Sequence, residues 1–423
     1  MELDAVIVGA GAAGLATAIF ALRHDPQARI AILDGARKPG AKILVSGGSR
    51  CNVTNRVVSE KDFNGGRPAT IRTILRALPV PATIAFFAGI GVPLHEEPAG
   101  KLFPDSNRSR DVLEALLNEL ARLGGAIRVE HRVTAVRPGA GGFDIETSHG
   151  TLRTRRVVLA TGGLSLPKTG SDGTGLDFAR ALGHTIVATT PALAPLLLGH
   201  GTSPTAAISG VTTRVRLDLR VGRALATRIP GSMLWTHFGI SGPAALDLSR
   251  HWLRAELQGA NCEVTANLAP SHTFETLDAE WQTAVRRQPR ASVHNRLALL
   301  LPASLAALLL EQQGVAPSRI LAELTREDRR ALVHAIVGWR LPVTGSRGYS
   351  YAEATAGGVD LSEIDPSTME SRRCAGVFLV GEMLDVDGRL GGFNFQWAWS
   401  SALVAGRALA RRIATSRIES APS

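Results

Sequence analysis

The feature that most constrains this chain is a glycine pattern between residues 6 and 14. That segment is VIVGAGAAG, in which Gly9, Gly11 and Gly14 have the spacing GxGxxG. In this pattern the first glycine permits a tight turn, the second lets the backbone approach a pyrophosphate, and the third lets a helix lie close to a strand. The pattern therefore predicts a strand, a phosphate-binding turn and a helix, in that order.

The residues around the pattern complete a βαβ unit. Three segments have the composition of a buried strand, a helix and a second buried strand: residues 4–8, 12–23 and 29–33. Asp34 follows the second strand, where a carboxylate can accept a hydrogen bond from an adenosine ribose hydroxyl. Ala12 and Ala13 lie at the helix N-terminus, whose free N–H groups favour a phosphate. The sequence therefore predicts a dinucleotide site.

Two later segments favour FAD over a nicotinamide cofactor. A flavin enzyme of this kind needs a late segment that returns to the isoalloxazine ring, and VFLVGE at residues 377–382 is a buried strand ending in a glycine and an acid. An earlier strand, VLATGG at residues 158–163, also ends in a glycine turn. Parallel strands end at one sheet edge, where such folds bind ligands. Because the chain has no second GxGxxG pattern, NADH or NADPH is expected only as a transiently docked reductant.

The middle of the chain has a different character. Residues 211–221 alternate apolar and charged side chains, which predicts a half-buried antiparallel strand, and residues 274–337 have a helical pattern. The predicted fold class is α/β, with a Rossmann-type, glutathione-reductase-like FAD-binding domain that is interrupted by a mixed insertion. The predicted domains are the FAD-binding domain (1–190 and 343–423), a β-barrel-like insertion (191–273) and a helical insertion subdomain (274–342).

Six segments carry a resemblance to a known family. They are residues 40–55, 102–104, 236–243, 354–359, 381–385 and 391–398. In these segments the chain resembles the BaiN/RdsA-like (YhiN-like) flavoproteins, NAD(P)/FAD-dependent oxidoreductases that are also known as the aminoacetone-oxidase family. Two positions depart from the family pattern: Ala41 stands where an arginine is usual, and Ser49 where a glycine is usual.

The fingerprint and the resemblance together predict one extended cofactor site. The resemblance implies that the site holds FAD, with the segment from residue 385 to residue 396 near the flavin. A long helix after residues 391–392 would point its N-terminal N–H groups at the ring and stabilise negative charge on it. The predicted cofactor-binding residues are Gly9, Gly11, Ala12, Ala13, Gly14, Asp34, Lys42, Ser46, Gly47, Arg50, Asn52, Val133, Thr161, Gly162, Gly163, Gly381, Glu382, Asp385, Gly391, Gly392, Phe393, Asn394 and Gln396.

Cys51 is the predicted catalytic residue. It would donate a proton to a substrate carbon after hydride transfer, and the neighbouring Arg50 would lower the pKa of its thiol. The alternative is a small buried side chain that packs under the cofactor. His237 either holds a substrate or occupies a turn of the insertion, and Tyr349 and Tyr351 are candidates for lining a substrate pocket.

Charge and cysteine content limit the partners. The net charge is +10, with only five lysines among 47 basic residues, which fits either an RNA-binding surface or an arginine-rich coding bias. Three scattered cysteines predict no metal site and no disulfide framework, and therefore a reducing, cytoplasmic location. Residues 297–310 are too short to cross a bilayer, so no membrane partner is expected. The oligomeric state is left open.

The predicted activity is that of an FAD-dependent oxidoreductase, in the first place a reductase that delivers hydride from reduced flavin to an activated C=C bond. The candidate substrate is uridine in ribosomal RNA, which would become dihydrouridine and would have to be single-stranded or extruded. The alternatives are reduction of a small unsaturated carbonyl compound and oxidation of a small amine by an FAD oxidase. Steeply salt-dependent RNA binding and the absence of oxygen consumption would separate these hypotheses.

Overall fold

The computed structural model describes residues 3–199 and 207–419. The chain divides into two compact units, and each has its own apolar core. Unit 1 is Met1–Thr189 with Glu353–Ser423, and unit 2 is Thr190–Ala352. The two parts of the predicted insertion, which would meet at residue 273, contribute to the same apolar core of unit 2. The sequence-based domain boundaries stay a prediction.

The secondary structure up to the end of the first part of unit 1 is as follows. The strands are β1 (Ala5–Val8), β2 (Ile30–Leu33), β3 (Thr54–Asn55), β4 (Phe63–Gly65), β5 (Leu94–Glu97), β6 (Lys101–Pro104), β7 (Ala126–Arg128), β8 (Val133–Gly139), β9 (Gly142–Thr147), β10 (Gly150–Thr154), β11 (Val157–Leu159) and β12 (Ile186–Ala192). The helices are α1 (Ala12–His24), α2 (Ala41–Ser49), α3 (Pro68–Ala77), α4 (Val80–Gly89), α5 (Ser109–Arg122) and α6 (Thr174–Ala181).

Unit 2 and the end of unit 1 follow in the chain. Unit 2 has the strands β13 (Leu196–Leu198), β14 (Thr212–Val221), β15 (Ala224–Thr236), β16 (Gly239–Ser241), β17 (Cys262–Asn267), β18 (Trp339–Leu341) and β19 (Val343–Ser346), and the helices α7 (Gly242–Leu257), α8 (Phe274–Arg287), α9 (Val293–Leu297), α10 (Ala303–Gln312) and α11 (Arg326–Val337). The last elements of unit 1 are β20 (Ala354–Val359), β21 (Val377–Leu379), β22 (Val386–Gly388) and α12 (Phe393–Glu419).

A five-stranded parallel sheet forms the centre of unit 1, in the order β21-β11-β1-β2-β7. β1, β2, β11 and β21 are completely buried, which is why their sequences are continuous apolar runs rather than alternating ones. α1 lies against α12, and Gly406 permits the close approach, since a Cβ there would lie 2.9 Å from the Thr17 carbonyl oxygen. The predicted α/β, Rossmann-type fold class is confirmed.

Residues 127–136, which the sequence alone would favour as one strand, are divided between two strands in the structure. β7 ends at Arg128 and joins the parallel sheet, whereas β8 starts at Val133 and pairs with β9 in a separate antiparallel sheet with β10. The four residues between them turn the chain from one sheet to the other. Hydrophobic pattern alone could not show this division, because it does not indicate which sheet a strand joins.

Unit 2 is built on a seven-stranded antiparallel sheet in the order β18-β17-β14-β15-β16-β13-β19. Its two edge strands, β18 and β19, are consecutive in the chain and only Pro342 separates them, so the sheet curls until its edges meet. The predicted alternating strand is confirmed as β14, in which Val215, Leu217 and Leu219 face the core. The core also contains Trp281 from α8.

One segment of the described residues, Pro68–Gly89, has the length and hydropathy of a membrane-crossing helix. The structure divides it into α3 and α4, with the break at Leu78 and Pro79. Phe86 and Phe87 belong to the apolar core of unit 1. A core helix of a soluble protein passes the same test of length and composition, so the segment is weak evidence for a membrane.

Candidate cofactor and active site

Three strand ends of unit 1 come together at the N-terminus of α1. Gly9 follows β1 with φ +105°, and a Cβ there would lie 2.6 Å from the carbonyl oxygen of Ala160, the residue after β11. Gly381, which follows β21, has φ +75°, and its Cβ would lie 2.8 Å from that of Ala13 at the start of α1. Only glycine fits these contacts, so the predicted convergence of β1, β11 and β21 is present in the structure.

The turn between β1 and α1 has the geometry of a phosphate cradle. Gly11 is the N-cap of α1, and no side chain caps the free N–H groups of the first helical turn. A Cβ at Gly11 would meet no atom within 4 Å, so the space in front of these N–H groups is open. A Cβ at Gly14, in contrast, would lie 1.9 Å from the Gly9 carbonyl oxygen. The open space and the uncapped donors fit an anionic pyrophosphate.

Asp34 is held rigidly beside this cradle. Its carboxylate accepts hydrogen bonds from the N–H groups of Ala10 (2.7 Å) and Ala36 (2.8 Å). Each oxygen keeps acceptor capacity for a hydroxyl, as recognition of a ribose requires. The backbone carbonyl of Asp34 accepts the N–H of His131 (2.9 Å), which places the chain leading to Val133 beside the acid. The adenosine end of the predicted site is thus assembled around Asp34.

Lys42 and Glu382 meet in a network that links four segments of unit 1. Lys42 Nζ donates to Ser165 Oγ (2.7 Å) and forms an ion pair with Glu382 Oε2 (2.5 Å). Ser165 Oγ donates to Glu382 Oε1 (2.6 Å), which also accepts the N–H of Thr355 (3.1 Å). The side chains of Lys42 and Glu382 are 23% and 18% exposed, so a ligand can reach the pair, although it is largely shielded from water.

Thr161, Gly162 and Gly163 follow β11 and lie against this network. A Cβ at Gly163 would lie 2.5 Å from Thr355 Oγ1, and Gly162 has φ +72°. Thr355 Oγ1 accepts the N–H of Ser165 (3.0 Å) in turn. Gly162 and Gly163 were predicted from the sequence, whereas Ser165 and Thr355 were not. The only available signal was the presence of Thr355 within the family-like segment 354–359.

The side chains of Gln396 and Asn394 both form hydrogen bonds inside the protein. The Gln396 amide is almost completely buried, and its four hydrogen bonds join it to Thr54, Thr83, the Leu78 carbonyl and Ser400. Asn394 bonds both the N–H (2.8 Å) and the carbonyl (3.0 Å) of Gly388. Both side chains hold the start of α12 in place. The predicted contact of Gln396 with the cofactor would have to come through its backbone, whereas the half-buried Asn394 amide keeps capacity for further hydrogen bonds.

The two glycines before α12 make the turn that starts it. Gly391 and Gly392 have φ +127° and +91°, and a Cβ at Gly392 would lie 2.5 Å from the Thr54 carbonyl oxygen. Phe393 is fully buried, 6.2 Å from Phe63 between ring centroids. Asp385 is tied down through its backbone, since its N–H donates to the Val359 carbonyl (2.8 Å). This part of the site is therefore a rigid backbone surface.

The segment after Lys42 is a helix with a sharp kink. Ser46 leaves the helical conformation with ψ 149°, and Gly47, Gly48 and Ser49 have φ +55°, +68° and +66°. Further along, Asn52 Oδ1 is buried and has no hydrogen-bond partner in the described chain. A buried carbonyl of this kind needs a donor, which a cofactor N–H group can supply. Asn52 thus fits the cofactor role that was predicted for it.

Arg50 does not affect Cys51 as the sequence suggested. Its guanidinium pairs with Glu97 (2.5 Å) and stacks 4.2 Å from the centroid of the Phe103 ring. Cys51 is fully buried, and this burial raises the pKa of its thiol to about 12, against a weaker opposing hydrogen bond with Ser46. The expected lowering of the thiol pKa was wrong, because desolvation disfavours the thiolate. The catalytic role of Cys51 stays a prediction, restricted to a neutral thiol.

Cys51→Ala tests that role directly. Since no part of Cys51 is exposed, we expect turnover within about threefold of the unsubstituted protein and a loss of about 1 kcal/mol in unfolding free energy from the lost sulfur contacts. Rapid-mixing measurements of flavin reduction and of flavin reoxidation by substrate, together with urea unfolding, would show this. Reoxidation slowed about 100-fold, with flavin reduction intact, would instead establish Cys51 as the proton donor.

Ser49→Gly should stabilise the protein. Ser49 has φ +66°, a left-handed conformation that costs an L-residue about 1–2 kcal/mol, which explains why a glycine suits this position. Glycine also has a larger entropy in the unfolded chain, which offsets part of the relieved strain. We therefore expect the free energy of unfolding, measured with urea, to increase by about 0.5–1 kcal/mol. Ser241→Gly is the matched control, because Ser241 has φ −143° and should lose stability. Equal effects at both positions would contradict the assignment of strain to Ser49.

In unit 2, two of the predicted substrate-pocket candidates contribute to an aromatic cluster around Arg347. The Arg347 guanidinium lies 3.4 Å from the ring centroid of Tyr351 and 4.6 Å from that of Phe238. The Phe238 ring lies 5.1 Å from that of the exposed His237. His237 and Tyr351 were predicted from the sequence, whereas Arg347 was not, since nothing in its local sequence distinguishes it from the many other arginines. No cluster of metal-ligating side chains is found in the part of the chain that the structure describes.

Comparison with protein families and curated proteins agrees with the resemblance seen in the sequence. The HI0933-like protein Rossmann domain family matches residues 3–408. The chain is 34% identical over 406 residues to the 3-dehydro-bile acid delta(4,6)-reductase of Clostridium scindens, covering 96% of this chain and 98% of that protein. It is also 34% identical over 401 residues to the ribosomal RNA dihydrouridine synthase of Escherichia coli, covering 95% and 96%.

Solved structures with a similar fold include fumarate reductases. The quinol fumarate reductase of E. coli superposes with a TM-score of 0.52 at 18% identity, over 98% of this chain and 71% of that chain. A quinol-fumarate reductase with menaquinol molecules gives 0.53 at 18% identity, over 98% and 72%. At this identity the likeness shows a shared fold alone. The suspected family and the Rossmann-type fold are thus both confirmed.

Proposed function

We propose that this chain, which belongs to the HI0933-like Rossmann-domain family of FAD-dependent oxidoreductases, reduces an activated C=C bond, and that its substrate is uridine in ribosomal RNA. One observation carries the proposal. Over at least 95% of its length the chain matches two relatives whose names describe addition of hydrogen to a C=C bond, one in a bile acid and one in a uracil base. Both relatives are named for reduction of a C=C bond, whereas the molecules that carry this bond differ.

The residues of unit 1 suit the binding of FAD for this reaction. The N–H groups at the start of α1 would bind the pyrophosphate and Asp34 a ribose hydroxyl, and Lys42 and Glu382 would bind the polar chain between phosphate and ring. Bound FAD would supply the hydride once NADH or NADPH has reduced it. The N–H groups at the N-terminus of α12 would stabilise negative charge on the reduced flavin ring. Overall, one hydride and one proton are added to the substrate while NAD(P)H is oxidised.

The choice of RNA over a small molecule rests on charge. A net charge of +10 favours a polyanionic substrate over a bile-acid-like carbonyl compound, which needs few cations. Ribosomal RNA also places the reaction in the cytoplasm. The bile acid reductase makes reduction of a small unsaturated ketone the second candidate, since its match is as long as that of the RNA enzyme.

Anaerobic incubation of the purified protein with three substrate classes would test the proposal. Protein-free ribosomal RNA from a strain that lacks this gene is the first, with NADH or NADPH as reductant, and nucleoside mass spectrometry should show uridines that have gained two hydrogen atoms. A 3-oxo-Δ4 bile acid and a set of small amines are the other two. Reduction of the bile acid with no dihydrouridine would overturn the RNA assignment. The amines are also incubated with the protein in air, and oxygen consumption driven by an amine there would overturn the reductase assignment.

A further inference from the structure

The outer face of the seven-stranded sheet in unit 2 carries a row of arginines. Along β14, Val215, Leu217 and Leu219 point into the core, so the intervening side chains point outward. These outward residues are Arg214, Arg216, Asp218 and Arg220. Arg228 and Arg340 on neighbouring strands lie on the same side, since they are in register with Asp218. Arg223 lies in the β14–β15 turn, at the end of this row. We call these six arginines (214, 216, 220, 223, 228 and 340) the arginine face.

The arginine face has more cations than its carboxylates can pair. Asp218 is shared by Arg216 (3.1 Å) and Arg228 (3.4 Å), and Glu263 pairs with Arg340 (3.0 Å). Within the described residues, no carboxylate pairs with the other three arginines. These are Arg214, Arg220 and Arg223, and all three are exposed. Six cations therefore stand against two anions on one sheet surface.

A second exposed sheet in the same protein shows that this excess is not a general result of composition. On the antiparallel sheet of β8, β9 and β10, Arg137 pairs with Glu146 (2.7 Å) and Arg153 with Asp144 (3.0 Å). Each of these arginines has its own carboxylate, as is usual for a solvated sheet surface. A coding bias towards arginine would act on both sheets alike. The unbalanced face thus requires an explanation of its own.

We propose that the arginine face holds the phosphate backbone of an RNA substrate; the inference rests on the proposed function, in which that substrate is RNA. Outward residues of a strand repeat about every 6.8 Å, so the cations from Arg214 to Arg220 extend over about 20 Å. Guanidinium groups bind phosphates with two parallel hydrogen bonds. The outward positions described here carry no aromatic ring for base stacking. The face therefore positions RNA through its backbone, without reading sequence.

The test compares two triple variants with the same change in charge. In R214Q/R220Q/R223Q the three arginines without carboxylate partners are replaced. In the control, R286Q/R287Q/R290Q, three exposed arginines at the end of α8 are replaced, and these also lack carboxylate partners among the described residues. Binding of protein-free ribosomal RNA is measured from 50 to 300 mM salt. Reduction of ferricyanide by NAD(P)H checks that the cofactor domain of each variant is intact.

We expect the face variant to bind the RNA at least about tenfold more weakly than the unsubstituted protein at the lowest salt concentration. A plot of log affinity against log salt concentration has a negative slope, and its steepness should decrease by about 2–3 in the face variant. Each lost phosphate contact makes the slope less steep by about 0.7–0.9. The control should keep both values. An unchanged affinity and slope in the face variant, or equal losses in both variants, would overturn the inference. The proposed reduction of RNA would not be affected by that result. If the unsubstituted protein neither binds nor reduces RNA, the proposed function fails and the inference fails with it.

Discussion

Replacing Gly14 by alanine should prevent the protein from folding into its flavin-binding form. The added Cβ would lie 1.9 Å from the carbonyl oxygen of Gly9 and 3.3 Å from the Ala160 Cβ, and these neighbours directly follow β1 and β11 of the parallel sheet. Neither can move without breaking contacts between β1, β11 and α1, so we expect a loss of more than about 4 kcal/mol in unfolding free energy. Soluble yield, far-ultraviolet circular dichroism and the visible flavin spectrum would measure it.

Gly11→Ala is the matched control for this prediction, because the change in side chain is the same. A Cβ at Gly11 meets no protein atom within 4 Å, so the variant should fold with nearly unchanged stability. The same methyl group would enter the space predicted for the pyrophosphate. This steric crowding should cost about 1–3 kcal/mol of binding free energy and so weaken flavin binding about 5- to 150-fold. Equilibrium dialysis would measure the change. A folded Gly14→Ala protein, or a Gly11→Ala protein with unchanged flavin affinity, would contradict the cradle described above.

Glu382→Ala should cause the second large loss. Glu382 is 18% exposed and accepts hydrogen bonds from Lys42, Ser165 and the Thr355 backbone, so its removal leaves a half-buried ammonium group without its counter-charge. Loss of one partner from a shielded ion pair costs about 3 kcal/mol. Urea unfolding of the flavin-free protein should show that loss. Titration with FAD should show weaker binding, since four segments around the cofactor are no longer tied together.

Two controls separate this network from an ordinary surface ion pair. Glu382→Gln keeps the shape of the side chain and its carbonyl acceptor, and should recover about half of the lost stability. Glu97→Ala removes the partner of Arg50, whose side chain is 39% exposed, and should cost no more than about 1 kcal/mol. If Glu382→Ala and Glu97→Ala differed by less than about 0.5 kcal/mol, the network would not have the stabilising role assigned to it.

Much of the fold and the outline of the site could be predicted from sequence because their determinants are local. The turn at Gly9, the cap at Gly11 and the acid at Asp34 belong to one continuous βαβ unit, and each follows from what a single backbone position requires. The outward and inward residues of β14 could also be assigned, because strand side chains alternate with period two.

The composition of the network around Glu382 could not be predicted in this way. Lys42 and Glu382 are separated by 340 residues, and Ser165 and Thr355 join them from two further segments. From sequence alone, each of these four residues could equally be a cofactor ligand or an ordinary polar residue, because its neighbours in space were unknown. Arg50 shows the same limit, since it pairs with Glu97, and burial raises the pKa of the adjacent Cys51 where adjacency in sequence suggested a lower one.

By itself, then, the sequence determined where the backbone must turn tightly and which strand faces are buried, because steric limits on φ and the period of a strand act within a few residues. Only the tertiary structure decided which polar groups remain available for chemistry. The Gln396 amide is saturated by internal hydrogen bonds, Cys51 is desolvated, and Asn52 keeps an unpartnered oxygen. Hydrogen-bond partners and burial come from segments far apart in the chain, and they exist only once those segments have been folded together.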